Sequence, residues 1–170
     1  MQSKTCKETL VVRTSRVFPN DLNNHHTLFG GKLMSMIDDI ASISAARHAR
    51  CESVTASTDS VDFLAPIKQD DSVCLQAFVT WTGTTSMEVF VKVIAENLMT
   101  GERLVAATAF LTFVTLPQNG EKVIVPTIVP ESEEEKYLHE TAEDRAHARH
   151  ARRIKSKELA SKISANKPWG

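Results

Sequence analysis

The chain has 170 residues, of which 42% are hydrophobic and 24% charged, as expected for one globular domain with residues left over for a tail. Twenty lysines and arginines against 21 acidic residues give a net charge of −1, which argues against a dedicated nucleic-acid binder. The three cysteines are widely spaced and form no CxxC pair, so a disulfide framework or a zinc knuckle is not expected and the compartment is expected to be reducing.

The N-terminal segment holds only residues 10–12 as an apolar run, which is too short for a signal peptide or a membrane span. We therefore expect a cytoplasmic protein with no membrane partner. Residues 8–18 are rich in β-branched and apolar types and stop at Pro19, which predicts a strand. Residues 19–29 contain the proline, asparagine, aspartate and histidine residues that are typical of a loop.

A long helix is predicted from Gly31 to about Arg50, because neither proline nor a further glycine interrupts this stretch. Apolar residues such as Leu33, Ile37 and Ile40 recur there at helical spacing for about five turns. This is the most clearly predicted helix in the first two-thirds of the chain.

Four strand-like runs follow the helix and are separated by short breaks, which predicts that neighbouring strands pair as antiparallel hairpins. The runs are residues 53–65, 72–82, 85–96 and 103–115. The order of one strand, a long helix and four strands predicts an α+β domain, in which an antiparallel sheet wraps around one helix. One helix covers only one face of such a sheet, so the other face or an edge is expected to need a partner copy.

The last third of the chain is predicted to be a linker and a tail. We assign residues 1–116 to the domain, 117–130 to an extended linker with three prolines, and 131–170 to a charged helical tail. Acidic residues come first and basic residues later, as the helix dipole favours. The tail shows no apolar stripe, which predicts a solvated helix with a frayed end. Removal of the tail after Pro130 is therefore expected to leave a folded, oligomeric core.

The loop before the long helix leads into a Phe-Gly-Gly sequence, Phe29 to Gly31. Glycines let a ligand approach the backbone closely, and the first N–H groups of a helix lack intrahelical acceptors. A developing oxyanion could bind there, with the positive end of the helix dipole behind it. The alternative is a tight loop-to-helix turn that binds nothing.

Two adjacent carboxylates follow on the helix, and the helical period separates them. Asp38 is predicted to lie at the margin of the apolar face, in the row of Met34 and Ala41, whereas Asp39 is predicted to lie on the wet side. A carboxylate at an apolar margin is desolvated and more basic, which suits a general base. The alternative is a pair of surface aspartates. Asn23 could orient water or a carbonyl, or it could be an ordinary turn residue.

Several segments resemble the acyl-CoA thioesterases of the hotdog fold, specifically the bacterial and brain-type cytosolic acyl-CoA hydrolases. The resemblance covers residues 10–116. The segments that carry it are residues 19–23, 28–34, 37–38, 54–57, 61–63, 66–67, 83–89 and 109–114. Their combination is specific, although Gly-Gly or Gly-Thr-Thr-Ser alone is a weak signal.

The resemblance implies a hotdog fold, dimers that pair sheet edge to sheet edge, and a hexamer formed as a trimer of dimers. It places the catalytic aspartate on Asp38 and a catalytic asparagine on Asn23, contributed by opposite subunits of one site. Gly30 and Gly31 fall on the oxyanion turn. We expect four further residues of the resembling segments to contact substrate: Phe29, Phe63, Thr85 and Ser86.

One local departure concerns residues 25–27, His-His-Thr, where many relatives have glycine shortly before Phe-Gly-Gly. A bulkier loop could narrow the pocket or move Asn23, so it bears on the substrate range. Elsewhere, His139-Glu140 is followed by Glu143 where a zinc protease needs histidine, so no metal site is expected. The basic run at residues 145–157 has no interleaved aromatic residue, which disfavours nucleic acid and leaves the phosphates of CoA as a possible partner.

The sequence therefore predicts an enzyme that hydrolyses acyl-CoA to fatty acid and CoA, with Asp38 as general base or nucleophile and without metal or cofactor. The alternative is a hotdog module that binds acyl-CoA without turning it over. A thioester-handling dehydratase is a weaker alternative, because it needs an active-site histidine on the helix and His48 lies near the helix end.

Overall fold

A five-stranded antiparallel sheet curves around one long helix in the computed structural model, which describes residues 3–169. The elements follow in chain order: β1 (Ser3–Thr5), α1 (Cys6–Thr9), β2 (Val11–Arg16), a 3-10 turn (Pro19–Asp21), α2 (Gly30–Ala49), β3 (Ser53–Phe63), β4 (Asp71–Thr82), β5 (Ser86–Asn97), β6 (Arg103–Thr115), β7 (Thr127–Val129), α3 (Glu133–Glu140) and α4 (Ala142–Lys162). This architecture confirms the predicted α+β class.

The strands of the large sheet lie in the order β2-β4-β5-β6-β3, so β2 and β3 are its edges. The predicted hairpins β4–β5 and β5–β6 are confirmed, but a hairpin between β3 and β4 is wrong, because β3 pairs with β6 and β4 pairs with β2. The connection at residues 64–70 can span about 24 Å. Strands three positions apart in a sheet are separated by about 14 Å. A short connection is therefore long enough for a crossover.

The predicted first strand, residues 8–18, starts too early. Residues Cys6–Thr9 form a helical turn, and the strand itself is Val11–Arg16. The Thr5 side chain accepts from the N–H of Glu8, and the Glu8 carboxylate accepts from the Thr5 N–H at 2.7 Å. This capping box favours helix locally over the β propensity of the flanking residues.

Helix α2 packs its apolar stripe against the inner face of the sheet. The predicted stripe residues Leu33, Ile37, Ile40 and Ser44 are all buried. They contact inner-face residues of the strands that include Leu75, Val89, Val91 and Phe113. The core therefore fills the space between helix and sheet, as the helical period predicts.

The outer face of the sheet is covered in part by the C-terminal helices, which corrects two expectations. The tail is two helices, and it is not solvated over its first half: Leu138, Ala142 and Arg149 are buried. The contact was missed because arginine and acidic side chains form much of it and no apolar stripe marks it. From His150 to Lys162 the helix is exposed, as predicted.

The predicted linker is extended but does not leave the domain. Strand β7 pairs in parallel with β1, and Val125 and Ile128 are buried. Residues 117–130 therefore follow the surface of the sheet and bring the C-terminal helices onto its outer face.

Candidate active site

Asp38 and Asp39 project from α2 in different directions, as the helical period predicts. The Thr55 hydroxyl of β3 donates a hydrogen bond of 2.9 Å to Asp38 Oδ1. Asp39 Oδ2 lies 2.6 Å from Arg13 Nη1 of β2. Both carboxylates are exposed in the single chain, so the desolvation expected for Asp38 is not provided by the chain's own residues.

Thr55 was not predicted as a site residue. It lies within the resembling segment 54–57, but a lone threonine in a strand is ordinary β-sheet composition. Only the fold shows that β3 brings its hydroxyl to α2. Thr55 pairs with Phe113, whose side chain is buried on the helix side of the sheet, so Thr55 faces the helix as well.

Asn23 is fixed by a local turn in the loop before α2. Its Oδ1 accepts from the backbone N–H groups of His25 at 2.9 Å and Thr27 at 3.2 Å. Its Nδ2 donates to Thr27 Oγ1 at 3.0 Å. One amide hydrogen on Nδ2 is therefore still available to donate to a substrate oxygen or a water molecule.

The two histidines of this loop do not fill the pocket beside Asn23. His25 and His26 are exposed, and His26 adopts a left-handed backbone conformation with φ of 59°. Thr27 lines the pocket in their place. The His-His-Thr sequence at residues 25–27 therefore leaves the pocket open, and its Thr27 holds Asn23 in place by hydrogen bonds.

Helix α2 begins at Gly30 with Phe29 as its N-cap, and no side chain caps it. The first helical bond runs from Leu33 N to Phe29 O, so the N–H groups of Gly30 and Gly31 have no acceptor among residues 3–169. The Phe63 ring lies over Gly30, where an added Cβ would be 3.5 Å from Cζ. The Phe29 ring lies over Gly31, where a Cβ would be 2.7 Å from Cε1.

A cavity of about 370 Å³ opens beside this helix start. Of the predicted site residues, Asn23, Gly30 and Phe63 line it, and Asp38 does not. Its other lining residues are mainly apolar: Thr27, Leu28, Leu33, Leu64, Ala65, Pro66 and Ile67. The cavity is therefore lined mainly by apolar residues, with Asn23 and Thr27 as its polar side chains.

Thr85 and Ser86 lie near the other group of site residues. Ser86 of β5 pairs with Val114 of β6, which pairs with Val54 of β3, next to Thr55. The Thr85 carbonyl accepts from the Thr115 N–H at 2.9 Å. Neither residue lines the cavity beside Gly30. The structure thus places Thr85 and Ser86 toward the Asp38–Thr55 end of the sheet.

The arginines and histidine of the C-terminal tail that suggested a phosphate or metal site make structural contacts. Arg145 and Arg149 bind the buried Glu88, and His139 Nδ1 lies 2.8 Å from the Thr80 carbonyl oxygen. Within residues 3–169, no cluster of three or more histidine, cysteine or acidic residues could hold a metal ion. None of the helices in that range is long and apolar enough to cross a membrane.

Comparison with known proteins shows the family to which this chain belongs. Residues 25–102 match the family model described as the thioesterase superfamily. The chain is 66% identical over 168 residues, 99% of its length, to a Bacillus subtilis protein named as an uncharacterized acyl-CoA thioester hydrolase, of which it covers 98%. The chain belongs to the hotdog-fold acyl-CoA thioester hydrolases of this superfamily.

Two solved structures share the fold of this hydrolase. A Staphylococcus aureus acyl-CoA hydrolase in complex with butyryl-CoA, CoA and CoA disulfide superposes with a TM-score of 0.89 at 44% identity, over 94% of this chain and 98% of that one. A hexameric acyl-CoA thioesterase without ligand superposes with a TM-score of 0.85 at 44% identity, over 89% and 97%.

The Staphylococcus aureus enzyme was also solved as three alanine variants, which replace an asparagine, an aspartate and a threonine. In chain order these three residues are separated by 15 and 17 positions. Asn23, Asp38 and Thr55 are separated by the same intervals.

Proposed function

We propose that this hydrolase cleaves acyl-CoA thioesters to a fatty acid and CoA, and that Asp38 and Asn23 from two different chains form each active site. This proposal rests on the hydrogen bond from Thr55 to Asp38. The bond orients one carboxylate oxygen of Asp38 beside β3, an edge strand of the sheet. The matching spacing in the Staphylococcus aureus variants supports the same three residues.

In one chain, the proposed site residues form two separate groups. Thr55 and Phe63 of β3 pair with Phe113 and Ala107 of β6, so they lie about 20 Å apart along the strand. The first group is Asp38 with Thr55, and the second is Asn23 with the Gly30 turn and Phe63. Neither group alone has both a base and an oxyanion site.

A second copy completes the site. Strand β3 is an edge of the sheet, and an antiparallel partner strand restores its unused hydrogen bonds. A two-fold axis through the middle of β3 brings Thr55 of one chain opposite Phe63 of the other. Asp38 of each chain then faces the cavity of its partner, and the apolar surroundings desolvate the carboxylate.

The chemistry follows from these groups. Asp38 takes a proton from water through Oδ2, while Thr55 holds Oδ1. The water oxygen attacks the thioester carbonyl carbon, and the carbonyl oxygen becomes an oxyanion that the Gly30 and Gly31 N–H groups bind. The free Nδ2–H of Asn23 orients the carbonyl or the water. Nucleophilic attack by Asp38 itself, through an acyl-aspartyl anhydride, is the competing path.

Collapse of the tetrahedral intermediate breaks the C–S bond and releases CoA as a thiolate. An ordinary thiol has a pKa of about 8.5, so the leaving group needs little acid assistance and the proton on Asp38 can neutralise it. Water, side chains and backbone N–H groups supply every step, and CoA enters as part of the substrate.

The apolar cavity gives the acyl chain its place. Leu33, Leu64 and Ile67 are among its apolar lining residues, and Asn23 and Gly30 line the same cavity. An acyl chain that enters past Gly30 therefore keeps its carbonyl beside the oxyanion turn. The CoA portion extends away from the cavity, toward the partner's Thr85 and Ser86 end of the sheet.

The assembly proposed for the chain is a hexamer made of three such dimers, as in the hexameric thioesterase that it resembles. We also propose a cytoplasmic location. The three cysteines are free thiols, as is usual for a protein of a reducing compartment.

Thiol release from a series of acyl-CoA substrates, from acetyl to palmitoyl, tests the function. We expect turnover that depends on chain length and is lost in the Asp38→Asn variant. The Asp39→Asn variant is the matched control, since it removes a neighbouring carboxylate that pairs with Arg13. Tight binding without release of thiol from any substrate would support the acyl-CoA-binding module instead.

A further inference from the structure

The outer side of strand β3 carries a second polar cluster that the proposed mechanism does not use. Asp59 is at its centre, and its carboxylate accepts from Thr112 Oγ1 at 2.6 Å and from Ser57 Oγ. Arg149 Nη1 lies 3.3 Å from Asp59 Oδ2, and Arg152 Nη2 binds Asp59 Oδ1. Both arginines come from helix α4 of the C-terminal tail.

Arg152 binds β3 at more than one point. Its Nη2 donates to Ser57 Oγ at 2.7 Å, and its Nη1 donates to the Asp59 carbonyl oxygen at 3.1 Å. A planar guanidinium that binds a hydroxyl, a carbonyl and a carboxylate at once fixes the relative positions of those groups. Arg152 thus holds the backbone of β3 as well as a side chain.

The cluster lies where β3 is irregular. The pairing of β3 with β6 shifts between Thr55 and Ser57 and again between Thr58 and Ser60, so Ala56 and Asp59 are extra residues in an edge strand. In a regular strand, Thr55 and Ser57 would face the same side. Because of the first shift, Thr55 faces helix α2 and Asp38, whereas Ser57 faces helix α4 and Arg152.

Burial alone would raise the pKa of Asp59. The hydrogen bonds from Ser57, Thr112 and Arg152, together with the charge of Arg149, outweigh this effect and hold the pKa of Asp59 below its ordinary value. Asp59 is therefore a carboxylate near neutral pH and keeps both arginines on the strand.

We propose that Arg152 is a positioning residue: by holding Ser57 and Asp59 it fixes the irregular segment of β3, so that Thr55 presents its hydroxyl to Asp38. The tail is then part of the catalytic apparatus of its own chain, although it touches no substrate. This inference rests on the proposed function, since it concerns the same Asp38.

The physical reason is the short path between the two sides of the strand. Only Ala56 lies between Thr55 and Ser57, and extra residues make an edge strand easy to deform. Without Arg152, the backbone at Ala56 gains alternative conformations, and the Thr55 hydroxyl no longer stays within hydrogen-bond distance of Asp38. A misplacement of about 1 Å in a catalytic group can cost up to about 100-fold in rate.

The first test compares Arg152→Ala with Lys162→Ala in the full-length enzyme. Lys162 is an exposed basic residue of the same helix, outside the basic run at residues 145–157, and it pairs with the exposed Glu158. We expect Arg152→Ala to lower kcat about tenfold while KM changes less than about twofold. Lys162→Ala should leave both values unchanged. Equal effects of the two variants, or an effect of Arg152→Ala on KM alone, would overturn the proposal.

The second test asks whether Arg152 acts through Thr55. In a Thr55→Ala background, Arg152→Ala should lower kcat no further, because the hydroxyl that it positions is already missing. Full additivity of the two losses contradicts the proposal. Arg152→Lys, which keeps the charge but not the fork of donors, should restore less than half of the lost kcat.

Two further measurements keep the outcome interpretable. Ser57→Ala removes one hydroxyl from the outer side and should lower kcat in the same direction, so it replaces Arg152→Ala if that variant does not fold. Asp38→Asn and Thr55→Ala are measured alongside. If those two retain full kcat, the proposed catalytic residues are wrong; if they lose kcat while Arg152→Ala and Ser57→Ala do not, only the positioning role is wrong.

Discussion

Asp38 and Asp39 are neighbours in the chain, yet they hold different partners on opposite edges of the sheet. Asp38 accepts a hydrogen bond from Thr55 of edge strand β3, and Asp39 pairs with Arg13 of edge strand β2. One residue of helix α2 corresponds to a rotation of about 100°, which is enough to direct the two carboxylates to different strands. Only Asp38 lies beside the edge at which the proposed partner chain binds.

This difference gives the first prediction. Asp38→Ala should lower kcat by about 100-fold or more, as expected for loss of a general base. Asp39→Ala should change kcat much less, because it removes an exposed ion pair whose contribution is small. Steady-state kinetics at saturating acyl-CoA measure both. An equal loss in the two variants, or a larger loss for Asp39→Ala, contradicts the assignment.

Most of the correct predictions about the fold came from the helical period of the apolar residues and from the order of the elements along the chain. Leu33, Ile37 and Ile40 are buried on one face of α2, as their spacing predicts. The pairing of β3 was not predictable in the same way, because a connection of seven residues fits either a hairpin or a crossover. Strand order depends on contacts between distant segments, and local patterns do not record them.

The site was predictable where a residue type is unusual in its position, and not elsewhere. A carboxylate at the margin of an apolar helix face, and two glycines at a helix start, are visible in one sequence. Thr55 is a common residue for a strand, so only its contact with Asp38 reveals it. Glu88 is similar, because a charged residue in a strand of alternating pattern is typical of the exposed face. In the structure it is fully buried beneath Arg145.

The second prediction concerns the pH dependence of stability through His48. Its ring is fully buried, and Nε2 lies 2.8 Å from the Pro126 carbonyl oxygen. A carbonyl only accepts, so Nε2 carries the proton, and Nδ1 has no partner among the described residues. Burial lowers the pKa of His48, the charge of Lys4 lowers it further, and the Pro126 hydrogen bond opposes both.

Proton linkage gives the direction in which the free energy of unfolding changes with pH. Below pH 6.5, the ordinary pKa of histidine, the unfolded chain binds a proton that the folded chain does not. The free energy of unfolding should therefore decrease as pH falls from about 7 to about 5. His48→Gln should flatten this decrease, whereas His147→Gln, at an exposed position, should not. Urea unfolding at several pH values and one fixed protein concentration measures the free energy of unfolding. The same pH dependence in wild type, His48→Gln and His147→Gln would contradict the argument.

The third prediction concerns the tail and the buried Glu88. Its carboxylate lies 2.8 Å from Arg145 and 3.5 Å from Arg149. Truncation after Pro130 removes both arginines together with the helices that cover Glu88, so it uncovers this carboxylate and the apolar side chains beneath it, such as Phe110 under Arg145. We therefore expect this truncated protein to unfold at a lower temperature or to aggregate, contrary to the expectation from sequence.

Two matched proteins separate the loss of covering contacts from the effect of the Glu88 charge. Truncation after Arg153 keeps Arg145, Arg149 and Arg152 and should retain the thermal midpoint of the full chain. In the full chain, Arg145→Met leaves Glu88 covered but without its nearer cation and should lower the thermal midpoint, and adding Glu88→Gln should restore part of the loss because the amide removes the unpaired charge. If the protein truncated after Pro130 is as stable as the full chain, the tail does not stabilise the core.

The fourth prediction decides between base and nucleophile roles of Asp38. In a single turnover in water labelled with oxygen-18, a general base directs the labelled water oxygen into the released fatty acid. If Asp38 attacks instead and water then opens the anhydride at the aspartyl carbon, the first product carries an oxygen from Asp38 and no label. Attack of water at the acyl carbon of such an anhydride would label the fatty acid as well, so the enzyme is also quenched during turnover and its mass is measured. We expect labelled fatty acid and no acyl adduct on the enzyme; unlabelled fatty acid or an adduct would indicate attack by Asp38.

The last prediction is that the active site is shared between chains. Asn23 and Gly30 line one cavity, and Asp38 lies outside it beside Thr55. Asn23→Ala and Asp38→Ala homodimers should each be inactive. When they are mixed and exchange subunits, half of the dimers are heterodimers with one intact site and one doubly altered site. Activity should then recover to about one quarter of wild type if the sites act independently. Exchange is verified with differently tagged chains; verified exchange without recovery would place Asn23 and Asp38 in the same site of one chain, and the proposed arrangement across the β3 edge would be wrong.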